Sequence, residues 1–245
     1  MAKLRRKLAR FCRGRRRFLD HGVGALDHYI NILGGDNDAA GDKAAQWLLG
    51  TRGQEGHWLW RWKFKLVDRQ VRFDPDKFGW PWMPGSASWV IPTGVALIAL
   101  KQRRACSDSS QLQSRVSVGV QMLLDRACPN GGWNSGNGVV YGEPLTAHAE
   151  PTAVALLALQ DEHRNSCIRN SLNWLRDAAP SLVSVSSLAW AILSLFLFQE
   201  RIDTLQERLA MLLEEPRCIK NTADLAVALG AFECGKVIHP FEVSA

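Results

Sequence analysis

No two of the six cysteines form a C-x-x-C pair, and none has a histidine at metal-ligand spacing. A structural zinc site and a thioredoxin-like redox site are therefore not expected, and the cysteines read as reduced, mostly buried thiols. Long apolar runs are also missing. The longest, Leu188 to Phe198, is interrupted by Ser194. It falls short of the roughly 20 residues a membrane span needs, so a buried helix is expected there. No apolar stretch follows the basic start, which argues against a secretory signal. Tyrosine is scarce, with 2 residues against 10 tryptophans.

Acid is missing from one place in particular. Residues 3 to 17 contain nine of the 30 basic residues and no carboxylate, which leaves 21 basic against 24 acidic residues in the remainder, a net of −3. The basic character belongs to a leader, taken as residues 1–19 and expected to be extended or partly helical. The body, residues 20–245, lacks a basic face, so nucleic acid is not expected as a partner. The leader has three readings: a solvated, partly helical extension, a segment drawn to an anionic membrane surface at about 1 kcal/mol per basic residue near the lipid, or a contact with nucleic acid. A cytoplasmic protein is the expectation, with peripheral membrane contact through residues 3–17 as one reading of the leader.

An internal repeat is present. Pro92-Thr93-Gly94-Val95-Ala96-Leu97-Ile98-Ala99-Leu100 and Pro151-Thr152-Ala153-Val154-Ala155-Leu156-Leu157-Ala158-Leu159 differ only at the third and seventh positions. Weaker copies begin at Ala189 and Thr222, at spacings of about 35 residues, one helix–turn–helix unit. These segments are apolar nearly all round and predict buried helices. An amphipathic helix precedes each: residues 42–49, 117–124, 168–175 and 205–213. Four hairpins, with a fifth near residues 20–35, predict an all-α stack that buries its apolar members. The step from Pro92 to Pro151 is longer than one such unit and must hold an extra loop.

Lys43-Ala44, Trp47-Leu48 and Gly56-His57-Trp58 resemble the QW repeat of squalene and oxidosqualene cyclases, with Arg52 where the family carries Gln. Gly119, Met122-Leu123 and Gly131-Gly132-Trp133 repeat the pattern at a constant offset. Cys128-Pro129-Asn130-Gly131-Gly132-Trp133-Asn134 is similar to the Gly-rich repeats of prenyltransferase β-subunits. The resemblance spans about residues 39 to 234. It implies an α/α toroid, or a partial one, in which the loop Trp58 and Trp133 tie neighbouring helix ends together.

The resemblance also implies where chemistry would lie. Class II terpene cyclases protonate an alkene with an Asp-x-Asp-Asp motif just before Thr-Ala at the start of an inner helix. Here His148-Ala149-Glu150-Pro151 precedes Thr152-Ala153, so Glu150 is the only acid at that place. Asp74 and Asp76, around Pro75, are the other candidate acids. The Asp, Cys and His that hold zinc in prenyltransferases are not matched, since Cys128 lies in the Gly-rich loop and His148 and His239 are isolated. No metal and no cofactor are expected.

The segment from Gly56 to Trp89 holds six of the ten tryptophans among several cations. Trp faces stabilise cations and offer flat apolar walls to a chain-like ligand. Trp60, Trp80, Trp82 and Trp89 are the candidate walls, with Arg72 for an anionic group and His148 and Asn134 at the same mouth; Asn137 is a turn former there. Alternation of Trp58, Trp60, Trp62 and Phe64 with charged neighbours suggests a short strand or extended arm within a long Trp-rich loop. Two functional readings stay open. One is a squalene cyclase-like or prenyltransferase-like protein handling an isoprenoid or other apolar substrate in a Trp-lined cavity, with Glu150, or Asp74 with Asp76, as acid. The other is a non-catalytic relative binding a lipid, peptide or protein. A carbohydrate-active α/α-barrel fits the tryptophans but lacks a second acid.

Overall fold

The structure is a computed structural model that describes residues 38–66, 72–104, 109–214, 222–234, 239 and 241–243. The basic leader and the fifth hairpin expected near residues 20–35 lie outside the described residues.

The described chain is all-α apart from one small hairpin. Its helices are α1 (Asp38–Gly50), α2 (Trp58–Leu66), α3 (Val90–Arg104), α4 (Ser110–Asp125), α5 (Ala149–Ala158), α6 (Ser166–Ala178), α7 (Val185–Leu197), α8 (Asp203–Glu214) and α9 (Thr222–Glu233). Strands β1 (Val139–Val140) and β2 (Glu143–Pro144) pair antiparallel. Caps set several helix starts. The Ser109 hydroxyl accepts the Leu112 N–H at 3.2 Å, and the Asn165 side chain accepts the Cys167 N–H at 2.9 Å. Each satisfies a backbone donor that the first turn leaves open.

The repeated apolar segments form α3, α5, α7 and α9, and each packs on the next along one row. From Pro151 to Ala158 every residue of α5 is buried. The alternating helices α1, α4, α6 and α8 pack on that row. They bury a single stripe, such as Ile168, Ser171 and Leu175 of α6 or Leu205, Leu209 and Leu212 of α8. That spacing of three and four residues is what one face of a helix requires. A cation bridges the far ends of α3 and α5, where buried Lys101 donates to the Ala158 carbonyl at 2.8 Å and pairs with Asp161. Near their starts a Cβ on Gly94 would lie 2.7 Å from Val154. The two helices therefore run parallel and in close contact at both ends.

Two expectations need correction. Residues 57–65 are not an extended arm, because Trp58–Leu66 is helical. The segment contains no glycine or proline, and Trp58, Leu59, Trp62 and Leu66, all exposed, share one helical stripe. The period-two pattern of aromatics is coincidental. Of the long Trp-rich loop, only residues 72–89 remain non-helical among the described residues, with one bridge between Pro81 and Ser88.

The second correction concerns the tryptophan ties. Trp133 is fully buried and donates its indole N–H to the Leu123 carbonyl at 2.6 Å, at the end of α4. The equivalent residue in the first hairpin is Trp80, not Trp58. Trp80 is fully buried and donates to the Leu48 carbonyl at 2.8 Å, at the end of α1. Leu48 and Leu123 keep the constant offset of the repeat, whereas the tying tryptophan stands at position 80 instead of 58. Helix α2 occupies the inserted length.

Candidate functional site

Two equivalent clamps fix the loops that lead into the inner row. The Trp80 N–H donates to Thr93 Oγ1 at 3.0 Å, and the same hydroxyl donates back to the Trp80 carbonyl at 3.4 Å. The Trp133 N–H donates to Thr152 Oγ1 at 2.8 Å, and that hydroxyl returns its proton to the Trp133 carbonyl at 3.1 Å. Both threonines are fully buried in the first turn of an inner helix. The residue before each tryptophan must be glycine, since a Cβ on Gly79 would collide with Thr93 Oγ1 and one on Gly132 would lie 2.8 Å from Thr152 Oγ1. The clamps place the starts of α3 and α5 side by side, and the Val90 N–H donates to Ser135 O at 2.9 Å across them.

The first clamp is reinforced by two buried cations. Arg115 of α4 donates to the carbonyls of Gly79 at 2.7 Å, Thr51 at 3.0 Å and Phe78 at 3.3 Å, with its guanidinium 3.4 Å from the Trp80 ring. Burial and neighbouring Arg52 push its pKa down to about 9, which still leaves it charged at neutral pH. Arg126 donates to buried Glu55 at 3.1 Å and stacks over Phe73 at 4.2 Å. Glu55 also accepts the Ser88 N–H at 3.1 Å. Every charge here is paired or bonded, as burial demands. These residues are scaffold.

At the same end of the row stand several of the residues singled out in the sequence. Glu150 lies in the first turn of α5, half-buried, and no described residue offers its carboxylate a hydrogen bond. Burial, and then the carboxylate of Asp224 near the start of α9, raise its pKa above the usual carboxyl range. The positive end of the helix dipole would favour the anion; desolvation outweighs it. His148 precedes α5, is exposed, and donates its backbone N–H to the Trp133 carbonyl at 2.8 Å. Trp89 precedes α3 and is 38% exposed, with its ring beside Gly136. Asn134 spends its amide within its own turn, accepting from Gly136 N at 2.9 Å and donating to Asn137 O at 2.7 Å.

The other candidates are elsewhere or otherwise engaged. Asp76 pairs with Arg61 and Lys65, which hold its pKa low. Asp74 accepts the Asp76 N–H at 3.0 Å, and its own N–H donates to Asp125 Oδ2 at 2.9 Å in a cluster with Lys77. Both aspartates thus form a turn held by ion pairs, and no described contact joins them to Glu150. Trp80 has no exposed face to offer a ligand. Trp60 is half-buried with Lys63 Nζ 4.5 Å from its ring. Trp82 and Arg72 are exposed.

Sequence reasoning did not single out Asp224 as a site residue. The signal is an acid in the first turn of an inner helix whose other acid, Glu233, stands at its last position. Among the described residues no three His, Cys, Asp or Glu gather as a metal site would require. Burial raises the pKa of Cys128, Cys167 and Cys234, which keeps them as thiols. No helix among the described residues is long and apolar enough to cross a membrane. Compared with protein-family models and with curated proteins, the chain matches none.

Proposed function

We propose that the chain is a partial α/α toroid, related to the squalene cyclases and prenyltransferase β-subunits, that binds an isoprenoid or other apolar molecule where α3, α5 and α9 begin. The alternation of apolar inner helices with one-striped outer helices supports that architecture. So do the paired clamps at Trp80 and Trp133. Helices α5 and α9 are not neighbours in the row, yet Asp224 acts on Glu150. A row that bends, so that these starts converge, accounts for that coupling. Trp89 and His148 border the same region.

The observation that carries the reading is Glu150 itself. It is a half-buried carboxyl, raised by burial, at the position where a cyclase acid would stand. A raised pKa keeps the proton in place at higher pH, but it also makes a weaker acid. Protonating an alkene needs a strong acid, which clustered and hydrogen-bonded carboxyls provide. With Asp74 and Asp76 tied into ion pairs, Glu150 has no such partners among the described residues. This favours binding of an apolar molecule over cyclisation initiated by a proton.

The test is titration with squalene and with farnesyl and geranylgeranyl diphosphate, followed by tryptophan fluorescence and by product analysis. The expected result is saturable binding that weakens in Trp89→Ala and in Glu150→Lys, with no cyclised product. A cyclic product that disappears in Glu150→Gln would establish catalysis instead. Absence of binding by all three would sink the ligand reading altogether.

A further inference from the structure

Helix α2 carries an apolar face that no described residue covers. Trp58, Leu59, Trp62 and Leu66 are 63%, 55%, 64% and 61% exposed. Trp58, Trp62 and Leu66 follow one another at four-residue steps, with Leu59 beside the first, so they form a single stripe. Scattered exposed apolar residues need no explanation, but two tryptophans and two leucines on one short helix do.

The charges beside the stripe identify what it fits. Helix α2 contains Arg61, Lys63 and Lys65 and no acid. Arg61 and Lys65 share one carboxylate, Asp76, and so keep a net positive charge. Lys63 is exposed above Trp60. The acid that precedes the helix in sequence, Glu55, is buried and neutralised by Arg126. A Trp/Leu stripe edged by cations is the pattern of a helix that lies in the plane of a lipid interface. There indoles sit at headgroup level and cations meet anionic lipid.

We infer that α2 is a membrane-surface anchor, which docks on an anionic bilayer by inserting Trp58, Leu59, Trp62 and Leu66. The nine cations at residues 3–17 add long-range attraction for the same surface. The inserted stripe, not the leader, supplies the part of the affinity that salt leaves intact. The inference does not depend on what binds near Glu150.

The experiment is flotation of the full chain with two kinds of vesicle, at low and high salt. One kind is phosphatidylcholine alone; the other mixes one phosphatidylglycerol with every two phosphatidylcholines. The variant is Trp58→Ser with Trp62→Ser, two surface positions whose loss leaves the core intact, as circular dichroism checks. Wild type is expected to float with the anionic vesicles and to retain measurable binding at high salt. The variant is expected to lose at least about tenfold in partitioning, because each indole would bury on the order of 100 Å². Brominated acyl chains should quench wild-type fluorescence and spare the variant. Equal flotation of variant and wild type, or binding abolished by salt alone, overturns the proposal. So does a dimer in solution that the variant loses while neither protein floats.

Discussion

The Trp80 indole reaches back 32 residues to the Leu48 carbonyl, at 2.8 Å, and so closes the first hairpin across the whole of helix α2. Trp133 makes the same bond to Leu123 over only 10 residues. One bond thus recurs with loops of very different length. The recurrence identifies the clamp, rather than the loop, as the unit that the fold repeats.

The clamp threonines should therefore matter to stability more than to any ligand. Thr93→Val and Thr152→Val keep the shape but leave the buried backbone N–H of Trp80 or Trp133 without its acceptor, while each carbonyl keeps a donor in the N–H of Trp89 or His148. Each is expected to cost about 1–3 kcal/mol, while Thr→Ser should recover most of it. Urea unfolding with an unchanged slope reads this directly. Losses below about 0.5 kcal/mol at both sites would show the clamps to be incidental.

Arg115 serves three carbonyls and one aromatic face from a buried position. Arg115→Met should destabilise by about 2–4 kcal/mol, because each of those carbonyls loses a donor, although that of Gly79 keeps the Gly53 N–H. Arg115→Lys should recover little, since a single ammonium cannot span the same fork of acceptors. Thermal or denaturant unfolding of the two variants distinguishes packing from donation: equal stability of Met and Lys variants is the expected sign that the fork is what counts.

Glu150 should leave a signature in the pH dependence of stability. Its raised pKa means that the folded chain holds the proton more tightly than the unfolded chain does. The stabilisation is complete below the ordinary carboxyl range and is lost as pH rises through the raised value. Glu150→Gln cannot lose a proton, so its stability relative to wild type should improve across that window. A difference that stays flat with pH would contradict the burial argument.

Asp76 should behave in the opposite sense and weakly. Its pKa is held low, first by Lys65, so its contribution is lost only as pH falls through the lowered value. The group is well exposed, and Asp76→Asn should cost no more than about 1 kcal/mol, an effect that salt reduces. A larger loss, or one insensitive to salt, would mean that the Asp74–Asp76 turn is more than a surface pairing.

The helical architecture was legible because near-identical segments such as 92–100 and 151–159 can only be buried members of a repeated pair. Trp133 was legible too, since its loop is short and its glycines adjoin it. Trp80 was not, because the constant offset of the repeat points to Trp58, and an inserted helix is invisible to a constant offset. The period-two reading of residues 57–65 failed for a related reason: over so few residues, aromatics at alternate positions also fill more than one face of a helix. Glu150 could be placed from its position before Thr152. Its coupling to Asp224 could not, since it depends on how helices distant in the row approach one another.

The backbone of Gly53 donates to the Gly79 carbonyl at 3.2 Å, so the chain leaves and re-enters the body at one narrow neck. Beyond that neck Glu55 and Phe73 are tied back to Arg126, and Asp74 to Asp125, whereas helix α2 is free to change length and character while the hairpin beneath stays fastened. Such a segment is where a repeat protein can acquire new surface chemistry without renegotiating its core, and where a foreign peptide could be grafted in place of Trp58–Leu66 with the helical body left standing.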